Sequence, residues 1–128
     1  MKISNISSCY CTDKLDACRI FYAKHFDAEI NFDCGWYINL KIGESSLQFM
    51  NPDFPAPQTD GQGISINIHT EDVDAFHQKL TSQDIDAPAP EDHPWGARSF
   101  DIKDPAGINL CIYSDREPSP EYKEAFRE

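Results

Sequence analysis

Two segments in the second half of the chain alternate aliphatic residues with other residues at every second position. They are "GISINIHT" (63–70) and "INLCIYS" (108–114). A period of two predicts β-strands, each with its aliphatic face against a core. The opposite faces carry polar or soft side chains, which suits the wall of a cavity; a plain solvent-facing sheet is the alternative. These face residues are Ser65, Asn67, His69, Asn109, Cys111 and Tyr113.

Apolar residues three and four positions apart predict two helices, and the segments that open them resemble each other. "CTDKLDA" starts at residue 11 and "HTEDVDA" at residue 69, which is an offset of 58. Threonine and acidic residues in both segments suit an N-cap and a first helical turn. The spacing therefore predicts helices over 14–26 and 72–83 and indicates an internal repeat.

The same offset extends the face assignment to the first half of the chain. It aligns Ser7, Cys9 and Cys11 with the polar face of "GISINIHT", so we expect these three side chains to share a cavity face. Gln48 and Met50 fall on one face of "SSLQFMN", and the pattern Leu-polar-apolar aligns Gln48 with Cys111.

Three strand-like pieces follow the first helix, namely "AEINF", "GWYINLKI" and "SSLQFMN". "GARSFDIKD" and "INLCIYS" follow the second helix, separated by the turn "DPAG", with a short strand expected before Pro88. The pattern predicts an α+β fold of two tandem βαβββ modules in one domain, 1–114. The modules span 1–51 and 64–114, joined by a linker rich in Pro and Gly (52–63). A polar tail over 115–128 follows, with room for a short helix.

Charge and hydropathy exclude several classes of partner. The formal net charge is −11, from 22 acidic and 11 basic residues. Nucleic acid needs a basic surface, and anionic membranes are disfavoured for the same reason. A strongly acidic balance favours solubility, or alternatively a site for a cationic ligand. The chain has no apolar run long enough to span a bilayer and no signal-like apolar stretch near its first residue, so we expect a cytoplasmic location.

Five cysteines, an odd number, predict free thiols rather than a disulfide framework. Cys9 and Cys11 are spaced for one face of a strand, not for a zinc knuckle. Cys111 is interpreted as a buried structural cysteine or a reactive thiol. His69 is interpreted as a hydrogen-bonding wall residue, with a base or a metal ligand as the alternative.

The segment "PWGARSFDIKDPAGINLCIY" (94–113) resembles the second-half signature of the vicinal oxygen chelate superfamily. That group includes glyoxalase I, extradiol dioxygenases, and the fosfomycin and bleomycin resistance proteins. "DACRIFYAKHF" (16–26) is similar to the first-half helix of the same family. The resemblance covers about 1–114, and it implies paired modules that form a curved mixed sheet around a cavity.

The resemblance also implies four cavity positions where the family's metal enzymes place His, Glu or Gln. In this sequence they fall on Ser7, Gln48, Ser65 and Cys111. Serine hydroxyls are poor ligands for a divalent transition metal, and one thiol with one amide does not complete a set. We therefore expect neither a metal nor any other cofactor, and we identify no catalytic residue.

Two hypotheses from different classes remain. The first is a metal-free small-molecule binding protein similar to the bleomycin-resistance branch, which implies a homodimer that sequesters a cationic drug or metabolite. Aromatic side chains suited to stacking on flat or cationic groups are Trp36, Tyr37, Trp95 and Tyr113. The second is a metal-dependent enzyme similar to lactoylglutathione lyase or to a dioxygenase. An enzyme of the lactoylglutathione-lyase type would be a lyase or isomerase. A module that binds a protein partner through its sheet edges is a third possibility.

The expected ligand-binding residues combine both halves of the chain. Arg98 is included because it pairs either with a local carboxylate or with an anionic group of a ligand, and Trp95 because it can shield a cavity mouth. The complete set is Ser7, Cys9, Gln48, Met50, Ser65, Asn67, His69, Trp95, Arg98, Cys111 and Tyr113.

Overall fold

The computed structural model describes residues 2–51 and 57–127. Its strands are β1 (Ser8–Cys11), β2 (Glu29–Asp33), β3 (Tyr37–Ile42), β4 (Ser45–Met50), β5 (Ser65–His69), β6 (Glu91–His93), β7 (Ala97–Lys103) and β8 (Asn109–Asp115). Its helices are α1 (Leu15–Phe26), α2 (Val73–Ser82) and α3 (Pro120–Lys123). The order β-α-β-β-β occurs twice, which confirms the predicted α+β fold of tandem βαβββ modules.

The chain divides into two compact units, each built on one module. The first unit comprises Met1–Gln62 together with Asp104–Ile108, and the second comprises Gly63–Lys103 with Asn109–Glu128. The predicted linker falls at the end of the first unit, and its residues 52–56 lie outside the described part of the chain. The prediction of a single domain over 1–114 stays a prediction.

The first unit contains a four-stranded mixed sheet in the order β1-β4-β3-β2. β1 pairs parallel to β4, and the other pairs are antiparallel. Helix α1 packs on one face of this sheet, where the Tyr22 ring lies 5.5 Å from the ring of Phe49. Ile38, Leu40 and Phe49 on this face are fully buried. The opposite face is called below the non-helix face of the first sheet.

The second unit repeats this arrangement in the order β5-β8-β7-β6, with β5 parallel to β8. Helix α2 covers the face that carries Phe100, Leu110 and Ile112, all of which are buried. Asp72 caps α2 by accepting a hydrogen bond from the backbone N–H of Ala75 at 3.0 Å. The opposite face is the non-helix face of the second sheet.

The "DPAG" turn packs with the first unit, although the strands on either side of it belong to the second. The buried Asp104 carboxylate accepts hydrogen bonds from the backbone N–H groups of Ala106 and Ile108, both at 2.9 Å. A Cβ atom at Gly61 would collide with the carbonyl of Gly107, and both glycines have a positive φ. Backbone segments can approach this closely only where both residues lack a side chain.

The last edge strand differs from expectation. A short strand was expected before Pro88, but the described structure has β6 at Glu91–His93, and residues 83–90 are irregular. Pro88 and Pro90 lack the N–H that a ladder requires, so pairing with β7 begins only after them. Within the described residues, no helix is long and apolar enough to cross a membrane.

Candidate ligand-binding site

The non-helix face of the first sheet brings together four of the residues predicted from the sequence. Strand register aligns β1 with β4, so that Cys9 lies beside Gln48 and Cys11 beside Met50. On the next strand, β3, Asn39 lies beside Gln48 and Tyr37 lies beside Met50. Ser7 is exposed and lies one residue before β1, so it has no partner strand in this ladder. One row of the face carries the sulfur-containing side chains of Cys11 and Met50 and the ring of Tyr37. The other row carries the amides of Gln48 and Asn39.

Two amides on this face are withdrawn from solvent. Gln48 is 5% exposed, and the side-chain oxygen of Asn39, its register partner, is buried without a hydrogen-bond partner. Nearly all buried polar atoms in native proteins have a partner, so this oxygen is an exception within the described residues. Sequence analysis missed Asn39, although it alternates with Ile38 and Leu40 in the pattern used for the other strands.

The non-helix face of the second sheet carries five of the predicted residues. Register places Asn67 beside Cys111 and His69 beside Tyr113, and Ser65 lies at the end of the same β5 face. The equivalent pair in the first sheet is Cys9 beside Gln48, so the predicted alignment of Gln48 with Cys111 agrees with the strand pairing.

β7 adds residues to the second face that the sequence analysis did not select. Ser99 and Asp101 lie beside Tyr113 and Cys111 respectively. Burial raises the pKa of the Cys111 thiol, and its charged neighbour Asp101 raises it further, while a hydrogen bond from Ser99 opposes the rise. Cys111 is therefore predominantly a neutral thiol near neutral pH, in line with a structural cysteine rather than an activated nucleophile.

Two histidines are fixed by hydrogen bonds on this face. His69 Nε2 lies 3.0 Å from a carboxylate oxygen of Asp115, and its ring meets that of Tyr113 edge-on. His93 Nε2 lies 3.0 Å from the hydroxyl of Ser99. Together with Asp101, these groups give the second face an acidic, hydrogen-bonding surface that suits a polar or cationic ligand.

Trp95 and Arg98 have different surroundings. Trp95 is half exposed and stacks on His93 with ring centroids 4.4 Å apart, so it lies next to the second face. Arg98 alternates with Ser99 on β7 and therefore points to the helix side. There its guanidinium donates to both carboxylate oxygens of Asp74, at 2.9 to 3.2 Å. This hydrogen bonding lowers the pKa of Asp74. Arg98 was expected to pair either with a local carboxylate or with an anionic group of a ligand, and in the structure it pairs with the carboxylate of Asp74.

The residues at the family's four metal positions do not fit a divalent transition metal. The Ser65 hydroxyl accepts a hydrogen bond from the Asn109 amide at 3.1 Å, and Cys111 is held as a thiol. Within residues 2–51 and 57–127, no group of three or more His, Cys, Asp or Glu side chains is arranged to hold a metal ion. Hydroxyl, amide and neutral thiol groups are weak donors for such an ion.

A cavity of about 290 Å³ opens at the start of α1 in the first unit. Its walls include Asp13, Asp16, Gly35 and Asn51. A helix N-terminus and the Lys14 side chain in the wall attract anions, but the two carboxylates repel them. The cavity therefore has no clear charge preference, and we do not assign it a ligand.

Comparison with known proteins supports the fold. The sequence profile described as Glyoxalase/Bleomycin resistance protein/Dioxygenase superfamily matches residues 3–112. No curated protein sequence gives a significant match. Among solved structures, a lactoylglutathione lyase from Agrobacterium tumefaciens is 24% identical with a TM-score of 0.72, covering 88% of this chain and 95% of its own.

Two further similar structures are those of a bleomycin resistance determinant and of a bleomycin-binding protein. The bleomycin resistance determinant encoded on transposon Tn5 is 20% identical with a TM-score of 0.71, covering 88% of this chain and 98% of its own. A bleomycin-binding protein in complex with bleomycin has the same identity and TM-score, with coverage of 89% and 100%. At these identities the structural similarity shows the fold alone, whereas the profile match covers most of the sequence. The chain belongs to the Glyoxalase/Bleomycin resistance protein/Dioxygenase superfamily.

Proposed function

We propose that this protein binds a small, cationic organic molecule through the non-helix faces of its sheets and uses no divalent transition metal to do so. The observation that carries the proposal is the donor set at the family's metal positions: two serines, one amide and one thiol whose pKa is raised. A protein with this set has kept the fold but lacks the ligands that metal-dependent members need.

The charge of the molecule supports a cationic ligand. A net charge of −11 raises the local concentration of cations and speeds their encounter with the protein. On the second face, Asp101 is exposed, and among the described residues Asp115 pairs with His69, whose charge depends on protonation. Neither carboxylate is neutralised by a lysine or arginine side chain among the described contacts. An ammonium or guanidinium group on a ligand would supply the missing positive charge.

Hydrogen bonding and stacking groups supply specificity. On the second face the exposed side chains of Ser65 and Asn67 can both donate and accept hydrogen bonds. Aromatic rings adjoin both faces, with Tyr37 on the first and Tyr113 on the second. Such rings bind flat or cationic groups by stacking and cation–π attraction. Bleomycin, which the similar bleomycin-binding protein holds in its solved complex, is therefore the probe of choice.

The proposal includes assembly as a homodimer in the cytoplasm, as the family resemblance and the sequence predict. Both statements stay predictions. We do not favour a glyoxalase-type reaction, because a metal that polarises adjacent oxygens and a carboxylate base beside it are both required.

Metal analysis of the purified protein, combined with a hemithioacetal isomerisation assay, separates the binding and enzymatic hypotheses. We expect substoichiometric Ni and Zn, and no turnover when either ion is added. Stoichiometric metal accompanied by turnover would overturn the proposal in favour of a lactoylglutathione-lyase-like enzyme.

A further inference from the structure

We propose that Cys9, Cys11 and Met50 form a binding site for a soft monovalent metal ion, Cu(I), on the non-helix face of the first sheet. The site goes beyond the proposed function and does not depend on it, since it needs no organic ligand. Its three residues and its chemistry differ from the four positions at which the family resemblance implies a divalent metal, although Cys9 is the register partner of Gln48, one of those four.

Strand geometry brings the three sulfur atoms to one place. Cys9 and Cys11 are two residues apart on β1 and so point to the same face, with Cα atoms about 6.6 Å apart. Met50 is the register partner of Cys11 on the adjacent strand β4, at a spacing of about 4.8 Å. A methionine has three rotatable bonds, so its thioether can reach the space between the two thiols.

The spacing suits a bridging metal ion better than a disulfide. The Cα atoms of disulfide-bonded cysteines are usually about 4.4–6.8 Å apart. At about 6.6 Å, the Cα atoms of Cys9 and Cys11 lie near the upper limit of this range. Metal–thiolate bonds are about 2.3 Å long for zinc, and two such bonds through one ion span sulfurs up to about 4.6 Å apart. Rotation about χ1 of two cysteines on one strand face can close the sulfurs to that distance.

The three side chains are accessible. Cys9 is exposed, Cys11 and Met50 are half-buried, and both thiols are free. Cys18 contrasts with them, because burial raises the pKa of its thiol to about 12 and it is inaccessible. The site can therefore load without opening the core.

The donor set selects the metal. Thiolate and thioether ligands favour Cu(I), whereas zinc needs four ligands of the sulfur, nitrogen or oxygen type. No third His, Cys, Asp or Glu completes a cluster here in the described residues. A low-coordinate soft ion is satisfied by two thiolates and one thioether, and a tetrahedral ion is not. The net charge of −11 favours any cation further.

Anaerobic titration of the reduced full-length protein with Cu(I), in competition with a chromogenic Cu(I) chelator, tests the site. We expect one tightly bound Cu(I) per chain and a weaker response to Zn(II). Cys9→Ser and Cys11→Ser should each lower the affinity by more than the roughly 10- to 100-fold that loss of an outer-shell partner costs. Met50→Leu, which preserves volume, should lower the affinity by a smaller factor.

Cys34→Ser is the matched control, because Cys34 is also exposed and lies in the first unit but outside β1. Its affinity should equal that of the unmodified protein, and X-ray absorption of the complex should show sulfur as the neighbour of copper. Circular dichroism checks that each variant is folded. Binding that survives Cys9→Ser, falls equally in Cys34→Ser, or favours Zn(II) would overturn the proposal. Bleomycin binding by the copper-free protein is measured separately, so each proposal can fail alone.

Discussion

The hydroxyl of Tyr22 on α1 donates a 2.6 Å hydrogen bond to the carboxylate of Asp104, which lies 82 residues further along the chain. Tyr22 is fully buried and Asp104 is 5% exposed. The second carboxylate oxygen accepts from the backbone N–H groups of Ala106, within the "DPAG" turn, and of Ile108, which follows it. One acidic side chain thus shapes the turn and fastens it to the first unit, which explains what the most recognisable segment of this sequence does physically.

Removing either partner of this bond should destabilise the protein. Tyr22→Phe loses one hydrogen bond to a carboxylate, so we expect the free energy of unfolding to fall by about 1–3 kcal/mol. Asp104→Ala should have a larger effect, because it also leaves the buried N–H groups of Ala106 and Ile108 without an acceptor. Urea unfolding measures both. Asp101→Asn, at an exposed site on β7, serves as the control and should change stability by less than about 0.5 kcal/mol. Equal effects of the Asp104 and Asp101 substitutions would show that the turn is not fastened in this way.

Cys111 should react slowly with alkylating reagents, and the rate should depend on its neighbours. Because the thiolate is the reactive form and the pKa is raised, the rate at neutral pH should lie below that of a free cysteine and increase as the pH rises. Asp101→Asn removes a negative neighbour, lowers the pKa and should accelerate alkylation. Ser99→Ala removes an opposing hydrogen bond and should slow it. Mass spectrometry of the Cys111 peptide after timed iodoacetamide treatment provides the rates. An Asp101→Asn rate equal to that of the unmodified protein would argue against the described contact.

Asp101→Asn should also weaken binding of a cationic ligand. Loss of one carboxylate from the second face is expected to lower the affinity several-fold and to reduce its dependence on salt. Asp86→Asn makes the same change in net charge at an exposed position outside the strands, so it separates local attraction from the general charge of the protein. Calorimetric titration at two salt concentrations checks this. Equal losses for the two variants would assign the effect to net charge alone.

The protein should form a homodimer at micromolar concentration. The expectation rests on the family resemblance, and light scattering coupled to size-exclusion chromatography tests it without a ligand. A mass twice that of the chain is the expected result. A monomer mass across the accessible concentration range would contradict the dimer prediction, and each chain would then bind its ligand without a partner subunit.

Local patterns predicted much of the architecture. Alternation in "GISINIHT" and "INLCIYS" identified the faces of β5 and β8, because each side chain's direction follows from a period of two. The repeat at an offset of 58 predicted both long helices to within about one residue. A side-chain cap is present in α2, where Asp72 caps the helix, whereas α1 begins after Lys14 without one. The strand register then agreed with the alignment of Gln48 and Cys111 that had been based on three residues.

Local patterns could not predict contacts between segments that are far apart in the sequence. Arg98 was ambiguous in the sequence because its partner Asp74 lies 24 residues away on α2. Asp104 was interpreted only as a turn residue, since nothing local indicates a bond to Tyr22. Asn39 was missed because its importance comes from the burial of one oxygen atom without a partner, which depends on what surrounds it. A short strand was expected before the prolines at 88 and 90 rather than after them.

Calorimetric titration with bleomycin, comparing chelator-treated protein with protein preincubated with Ni²⁺ or Zn²⁺ and freed of excess metal, tests the central proposal most directly. We predict saturable binding by the metal-free protein, with an affinity that preincubation with either ion does not change. Binding that appears only after a divalent metal is added, or no binding of this or any other cationic probe, would contradict it.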